Sequence, residues 1–231
     1  MLLGIDTSGA VSVAVARGTL TGPAPEILVV RGDDRSRHHD EVLLALVDEA
    51  MHEVGAQRSD LTGIVVGRGP GPFTGLRVGL VAARSIAGVL DVPLYGLSSL
   101  DALAHQAFAT TDAAPVTVAV ALDARRREVY HARYRRQADA RVTREAEPAV
   151  GAPADVAAEL TACDLLVGSG TTLYPELLPA TTQLVHVDAG HLILAAAQLT
   201  AQGAELADTD PMYLRAPDAA KPTARKSTLG R

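Results

Sequence analysis

The feature that most constrains this chain is a pattern that occurs twice. Leu2-Leu3-Gly4-Ile5-Asp6 is an apolar run ending in an aspartate; the polar turn Thr7-Ser8-Gly9-Ala10 follows, then Val11, Val13 and Val15 at every second position. Val116 to Leu122 is a second apolar run ending in an aspartate, Asp123. After Ala124-Arg125-Arg126, residues Glu128, Tyr130, Ala132 and Tyr134 alternate with Val129, His131, Arg133 and Arg135. Apolar runs of this length read as buried strands, and period-two alternation as strands with two unlike faces. Each half therefore opens with strand, aspartate and hairpin. The aspartates lie 117 residues apart in a chain of 231, so we read an internal duplication with lobes over 1–104 and 105–216. The remaining 217–231, rich in Ala, Pro and Lys, is expected to be a disordered tail.

Further strands are predicted at Ile27-Leu28-Val29-Val30, Ile64-Val65-Val66, Val92 to Leu97 and Leu165-Leu166-Val167, and helices over about 37–54, 75–90 and 191–201. This alternation is the α/β pattern. Two similar lobes, each with an acid ending its first strand, are what the actin-like ATPase (ASKHA) fold needs. There the aspartates address a metal-bound phosphate across a cleft, and hydroxyls after the first aspartate face phosphate oxygens. The candidate nucleotide contacts are then Asp6, Thr7, Ser8, Asp123, Gly168 and Gly170. A working ATPase also needs a water-positioning group, and none is identifiable; a structural remnant and weak ATP or ADP binding both fit.

Composition narrows the classes. There are 27 acidic and 21 basic residues, a net charge of −6, 3% aromatics and no Trp. That argues against a domain built mainly to hold nucleic acid or to stack bases on a broad platform. Lys221 and Lys226 are the only lysines, so no P-loop or Schiff-base lysine exists before the tail. Cys163 is the only cysteine, which excludes an internal disulfide and a multi-thiolate metal site. No apolar run approaches the ~20 residues of a membrane span, and an acid at position 6 interrupts any signal-peptide core, so a cytoplasmic protein is expected.

Gly67-Arg-Gly-Pro-Gly-Pro-Phe-Thr-Gly75 sits between a strand and a helix, where phosphate loops occur. Pro70 and Pro72 remove two N–H donors, and no GK[ST] follows, so a tight structural crossover is the better reading. Gly75, Gly79, Ala83 and Ala87 then recur every four residues and leave one helix face nearly bare. Packing on its own sheet and a subunit interface fit that stripe equally.

Met1 to Ala16, Gly63 to Ala102 with its GRGPGPFTGLRVGL core, Leu122 to Tyr130 and Pro211-Met-Tyr-Leu-Arg215 closely resemble the TsaB (YeaZ) family of tRNA threonylcarbamoyladenosine biosynthesis subunits. The resemblance spans nearly the whole chain up to the tail. It implies the actin-like fold, no catalytic residues and no required cofactor. It also implies association with a catalytic TsaD-like paralogue and a TsaE-like ATPase that together modify adenosine 37 of tRNA, and a homodimer when the chain is alone. The metal belongs to TsaD. Its HxxxH pair falls on Ser99 and Leu103 here, and leucine cannot ligate a metal. The rival readings are an actin-like kinase or ATPase and an M22-type metallopeptidase. The expected subunit interface comprises His39, Leu43, Leu46, Val47, Ala50, Gly75, Gly79 and Ala83, so that Gly79→Leu should weaken association without harming the fold.

Other constellations have plainer explanations. Arg37-His38-His39-Asp40-Glu41 reads as a solvated helix start and Asp188 as a helix cap; Cys163 reads as a buried small hydrophobe. Residues 125–144 hold eight arginines against Glu128 and Asp139. They read first as a solvated strand face, with steering of tRNA or of an acidic partner as the alternative.

Overall fold

The structure, a computed structural model, describes residues 1–34 and 39–215. The tail 217–231, residues Arg37 and His38, and the side chains of His39, Asp40 and Glu41 lie outside the described residues. The first half forms a five-stranded sheet from β1 (Leu2–Asp6), β2 (Val11–Arg17), β3 (Glu26–Asp33), β4 (Gly63–Gly67) and β5 (Leu94–Leu97), in the order β3-β2-β1-β4-β5. The β1-β2-β3 meander is antiparallel, whereas β4 and β5 run parallel to β1. The second half forms another five-stranded sheet from β6 (Val116–Asp123), β7 (Val129–Arg136), β8 (Val142–Arg144), β9 (Ala149–Gly151) and β10 (Leu165–Val167). Its order is β10-β6-β7-β8, with β9 also on β7. As in the first sheet, the opening hairpin is antiparallel and the strand on its other side, β10, is parallel.

The helices make this a layered molecule. Alternation along β1 sends Leu3 and Ile5 to one face, where they meet Leu43, Val47 and Ala50 of α1 (His39–Glu53) and Leu76, Leu80 and Ala83 of α2 (Phe73–Leu90). Leu2 faces the other way, into a core shared with α3 (Ser99–Phe108), α6 (Ala189–Ala201) and Val118, Val120 and Leu122 of β6. Ala119 and Ala121 point to the far face of the second sheet, against Val156 and Leu160 of α4 (Pro153–Leu160). The short α5 (Ser169–Leu173) follows β10 on this side. Each fully buried Leu or Ile contributes on the order of 1.5–3 kcal/mol.

α6 belongs to the second half in sequence but packs on β1 and β2 of the first sheet. A Cβ on Gly4 would stand 2.7 Å from the Ala189 carbonyl and 2.9 Å from Ile193, so glycine lets that helix approach. Asp188 Oδ1 caps it, accepting from the N–H groups of Gly190 (2.7 Å) and His191 (3.2 Å), as its position implied. The segment 204–215 also returns to the first sheet. Gly96 N–H of edge strand β5 donates to the Leu206 carbonyl at 2.9 Å, and Met212 N–H to the Arg68 carbonyl at 2.7 Å. Among the described residues only α2 has the length and composition to cross a membrane. It contains Arg77 and Arg84 and lays a buried stripe on its own sheet, which is how a core helix behaves.

Two polar clusters join the halves. Asp101 of α3 accepts from Tyr134 Oη of β7 (2.7 Å) and, at both of its oxygens, from Arg144 Nη2 of β8 (2.8 and 2.7 Å). Burial, with the Asp101 charge, holds the Tyr134 phenol well above 10.0. His105 of α3 and His191 of α6 meet Nδ1 to Nδ1 at 3.0 Å, one donating and one accepting. Burial, with His191 and Arg136 adding to it, pushes His105 down from 6.5 to about 4. A depressed histidine means that the unfolded chain binds more protons between those values, so stability falls as pH drops from 6.5 towards 4. Denaturant unfolding should show His105→Gln removing about 2–3 kcal/mol of that acid-side loss. An unchanged pH profile in the variant would contradict the assignment.

Candidate functional site

Asp6 ends β1, where chain direction and sheet order turn its side chain inwards. The carboxylate is 1% exposed. Oδ1 accepts from Ser8 N–H (2.9 Å) and Ser8 Oγ (2.6 Å), and Oδ2 from Ser99 Oγ at the start of α3 (2.6 Å). A Cβ on Gly67 would overlap Oδ2, so β4 presents a glycine there by necessity. Burial pushes the carboxyl up from its ordinary 3.8; the serine hydrogen bonds and His186 oppose that rise. Thr7 Oγ1 donates to the Gly75 carbonyl (2.8 Å) and accepts from Gly79 N–H (3.1 Å), pinning α2 to the end of β1. The candidate phosphate-facing group Asp6-Thr7-Ser8 is thus engaged inside the first half.

The small-residue stripe has the same destination. Gly75, Gly79, Ala83 and Ala87 are buried against their own sheet, and a Cβ on Gly79 would overlap Thr7 Oγ1. Leu43, Leu46, Val47 and Ala50 of α1 are buried in the same core. The expected interface is corrected on this point: seven of its eight residues face inwards, while the side chain of His39 lies outside the described residues. The outward faces carry Leu44 (56% exposed), Val81 (62%) and Val89 (84%) instead. The apolar periodicity of both helices was visible in the sequence; which side met the sheet was not.

Gly168 and Gly170 are also close-approach glycines. Gly168 has φ 111°, and a Cβ there would overlap the Ala121 carbonyl; one on Gly170 would stand 2.9 Å from Val129. Asp123, of the six candidate nucleotide contacts, lines a cavity of about 230 Å³ between the glycine–proline loop and the β6–β7 turn. Phe73 and Tyr213 form part of its wall, and Arg125, Arg126 and Arg215 another. The turn is built against the conformational grain. Arg125, Arg126 and Arg127 have φ of 59°, 54° and 63°, three consecutive left-handed residues without a glycine. Each costs roughly 1 kcal/mol or more over glycine. Asp123 Oδ1 accepts from Arg125 N–H (2.7 Å), Ala124 N–H donates to the Glu128 carbonyl (3.0 Å), and Arg215 ion-pairs with Glu128 across the turn.

Half of the eight arginines in this stretch are engaged within the second half or by α3 and the loop after it. Arg133 pairs with Glu159 (2.7 Å), Arg135 with Glu145 (2.8 Å) and Arg144 with Asp101, while Arg136 donates to three carbonyls between Phe108 and Ala113. The exposed members of the stretch are Arg125, Arg126 and Arg127 at the turn, with Arg135 and Arg141. Among the described residues no three His, Cys, Asp or Glu side chains group as metal ligands. Ser99 Oγ is committed to Asp6, and Leu103 is fully buried. The Cys163 thiol is half-buried and raised by that burial, which suits the small-hydrophobe reading.

Fold and site together define a two-sheet α/β protein whose first-strand aspartate is a structural group and whose cleft is walled by arginine and aromatic rings. A family model described as TsaD, tRNA N6-adenosine threonylcarbamoyltransferase, matches residues 33–174. An uncharacterised protein of Mycobacterium tuberculosis is 37% identical over 96% of this chain and 95% of its own length. The tRNA threonylcarbamoyladenosine biosynthesis protein TsaB of Escherichia coli is 32% identical over 78% of this chain and 81% of its own. Among solved structures, YeaZ from Pseudomonas aeruginosa matches with a TM-score of 0.74 at 30% identity, covering 92% of this chain and 99% of that one. The chain belongs to the TsaB/YeaZ family.

Two stability effects follow from the geometry. Gly79→Ala should destabilise the isolated chain by about 2 kcal/mol, because overpacking against stiff Thr7 exceeds the gain in helix propensity. This replaces the sequence-based expectation of an intact fold. Arg127→Gly should stabilise it by about 1 kcal/mol through relief of left-handed strain. Denaturant midpoints check both, and equal stability of Gly79→Ala and wild type would show that α2 is free to move off β1.

Proposed function

We propose that this chain is the non-catalytic subunit of a tRNA N6-threonylcarbamoyladenosine-forming complex, holding a TsaD-like transferase through the outward faces of α1 and α2. The observation that carries this reading is α2 itself. It is an 18-residue apolar helix with only a third of its length buried. Val81 and Val89 lie eight residues apart on its open side, flanked by half-buried Val78, Ala82 and Ile86. An apolar face of that kind on a surface helix marks a protein contact. A TsaD-like partner would share the same opening fold and offer a matching helix pair, and in its absence a second copy of this chain would cover the face.

The engaged state of Asp6 supports a subunit without its own phosphoryl chemistry, since a carboxylate held by Ser8 and Ser99 and 1% exposed does not open onto a cleft. Ser99 and Leu103 in place of a histidine pair support assigning the metal to the partner. The repeated strand order and directions support an actin-like fold that arose by duplication, with a nucleotide cleft closed in the first lobe. A TsaE-like ATPase, and tRNA bound by the assembly, complete the cytoplasmic complex in this reading.

Burying two valines contributes about 3 kcal/mol or more, so Val81→Asp with Val89→Asp should weaken association at least 100-fold with the circular dichroism spectrum unchanged. Reconstitution supplies the functional arm. Modified tRNA should require this chain together with TsaD-like and TsaE-like subunits, and this chain alone should give none. Full activity on its omission would sink the reading.

A further inference from the structure

The cavity between the glycine–proline loop and the β6–β7 turn brings together two unlike surfaces. On one side Phe73 and Tyr213 stack with centroids 5.4 Å apart and planes 25° apart. The chain has only two Phe and five Tyr, yet this pair stands in the open, 52% and 40% exposed. Arg77 lies 3.9 Å over the Phe73 ring and donates through Nε to Tyr213 Oη at 3.0 Å, fixing both rings. Rings held this way lose little freedom when another flat group stacks on them.

On the other side is the arginine turn. Its tip presents Arg125, Arg126 and Arg127 to solvent, and Asp123 is the one carboxylate among the cavity's lining residues. Arg125 does pair with Asp123, at 3.3 Å on a side chain 69% exposed, a contact of small energy that a phosphate can replace. Arg215, anchored on this turn through Glu128 and the Ala124 carbonyl, is where the described chain ends. Positive charge and aromatic surface therefore coincide at one place in a protein of net charge −6.

We propose that this cavity binds a nucleotide of single-stranded RNA, with its base on the Phe73–Tyr213 pair and adjoining phosphates on the arginine turn. A flat π surface beside a cluster of guanidinium groups is the chemistry by which proteins hold unstacked nucleotides. The left-handed arginines fit this role: glycine would relieve the turn but supply no charge. That the RNA is the tRNA of the modification complex rests on the function proposed above; the cavity's preference for RNA does not.

The test is fluorescence anisotropy with the full chain and a labelled, unstructured single-stranded RNA dodecamer, between about 50 and 200 mM salt. Wild type should bind, with affinity falling as salt rises. The triple variant Arg125→Ser, Arg126→Ser, Arg127→Ser should bind at least tenfold more weakly at low salt, with the log–log salt slope reduced by about 2. Tyr213→Ala should weaken binding roughly fivefold or more while leaving the slope unchanged. Failure of wild type to bind, or variants that bind like wild type, overturns the proposal. Displacement by AMP as effective as by unlabelled RNA overturns the RNA assignment in favour of a free nucleotide. Measuring association of the same proteins with the TsaD-like partner separates the two ideas. RNA binding lost with association intact in the triple variant supports the cavity assignment, whereas wild-type RNA binding without any partner association overturns the subunit reading alone.

Discussion

The arrangement of the first half depends on one buried carboxylate. Asp6 gathers Ser8 from its own turn and Ser99 from the start of α3, while Gly67 of β4 supplies the space its Oδ2 occupies. Three donors on a fully buried acid form a junction that is expensive to break, because each donor left without an acceptor costs on the order of 1–3 kcal/mol. Thr7 extends the junction to α2 through both its acceptor and its donor. Three elements distant in sequence are thereby fixed to the end of one strand. The same engagement separates this aspartate from chemistry. A carboxylate that must face a metal or a phosphate has to remain open to the cleft, and this one is closed off by the side chains it organises.

That inward commitment explains the division of labour in α2. Its glycine and alanine face exists because Thr7 and the β1–β4 surface stand where larger side chains would go. With the small residues consumed by the sheet, the valines are left outside, and Leu44 adds an exposed apolar group on α1. A helix designed only to cover its sheet would place charge there, as α1 does with Asp48 and Glu49. Those valines, beside exposed Arg77 and Arg84, are the surface on which the proposed partner contact rests.

The duplicated strand–aspartate–hairpin pattern, β1 to β7 and the helices at 39–53, 73–90 and 189–201 were legible, because runs and periodicities report directly on burial. α3 was not. It lies between the two sheets, with Leu100, Ala102, Leu103, Ala104 and Ala107 all buried, and its polar stripe of Asp101, His105 and Gln106 is turned to partners within the chain, not to solvent. The available signal was Ser98 with Asp101 three residues on, and Ser98 does cap the helix. The return of α6 and 204–215 to the first sheet was equally hidden, since lobe boundaries drawn from a repeat say nothing about which lobe a late element joins. Reading Gly79 as an interface residue failed for a similar reason. A bare helix face announces close approach, but not whether the approaching group is a neighbour's helix or the chain's own Thr7.

The same ambiguity resolved differently at the arginine turn. The eight arginines of 125–144 looked uniform in the sequence, yet four of them are engaged by Glu145, Glu159, Asp101 or backbone carbonyls. Only geometry distinguishes these from the turn, where three left-handed residues carry exposed side chains. Strain of this sort persists when the surroundings over-determine it, and here Asp123, Glu128 and Arg215 do so from three directions. The second aspartate of the repeated pattern thus has a task unlike the first. Asp6 closes a cleft by binding the elements around it, whereas Asp123 braces a turn that holds positive charge at the mouth of another. The same position in the repeated pattern serves packing in the first half and supports an exposed arginine turn in the second.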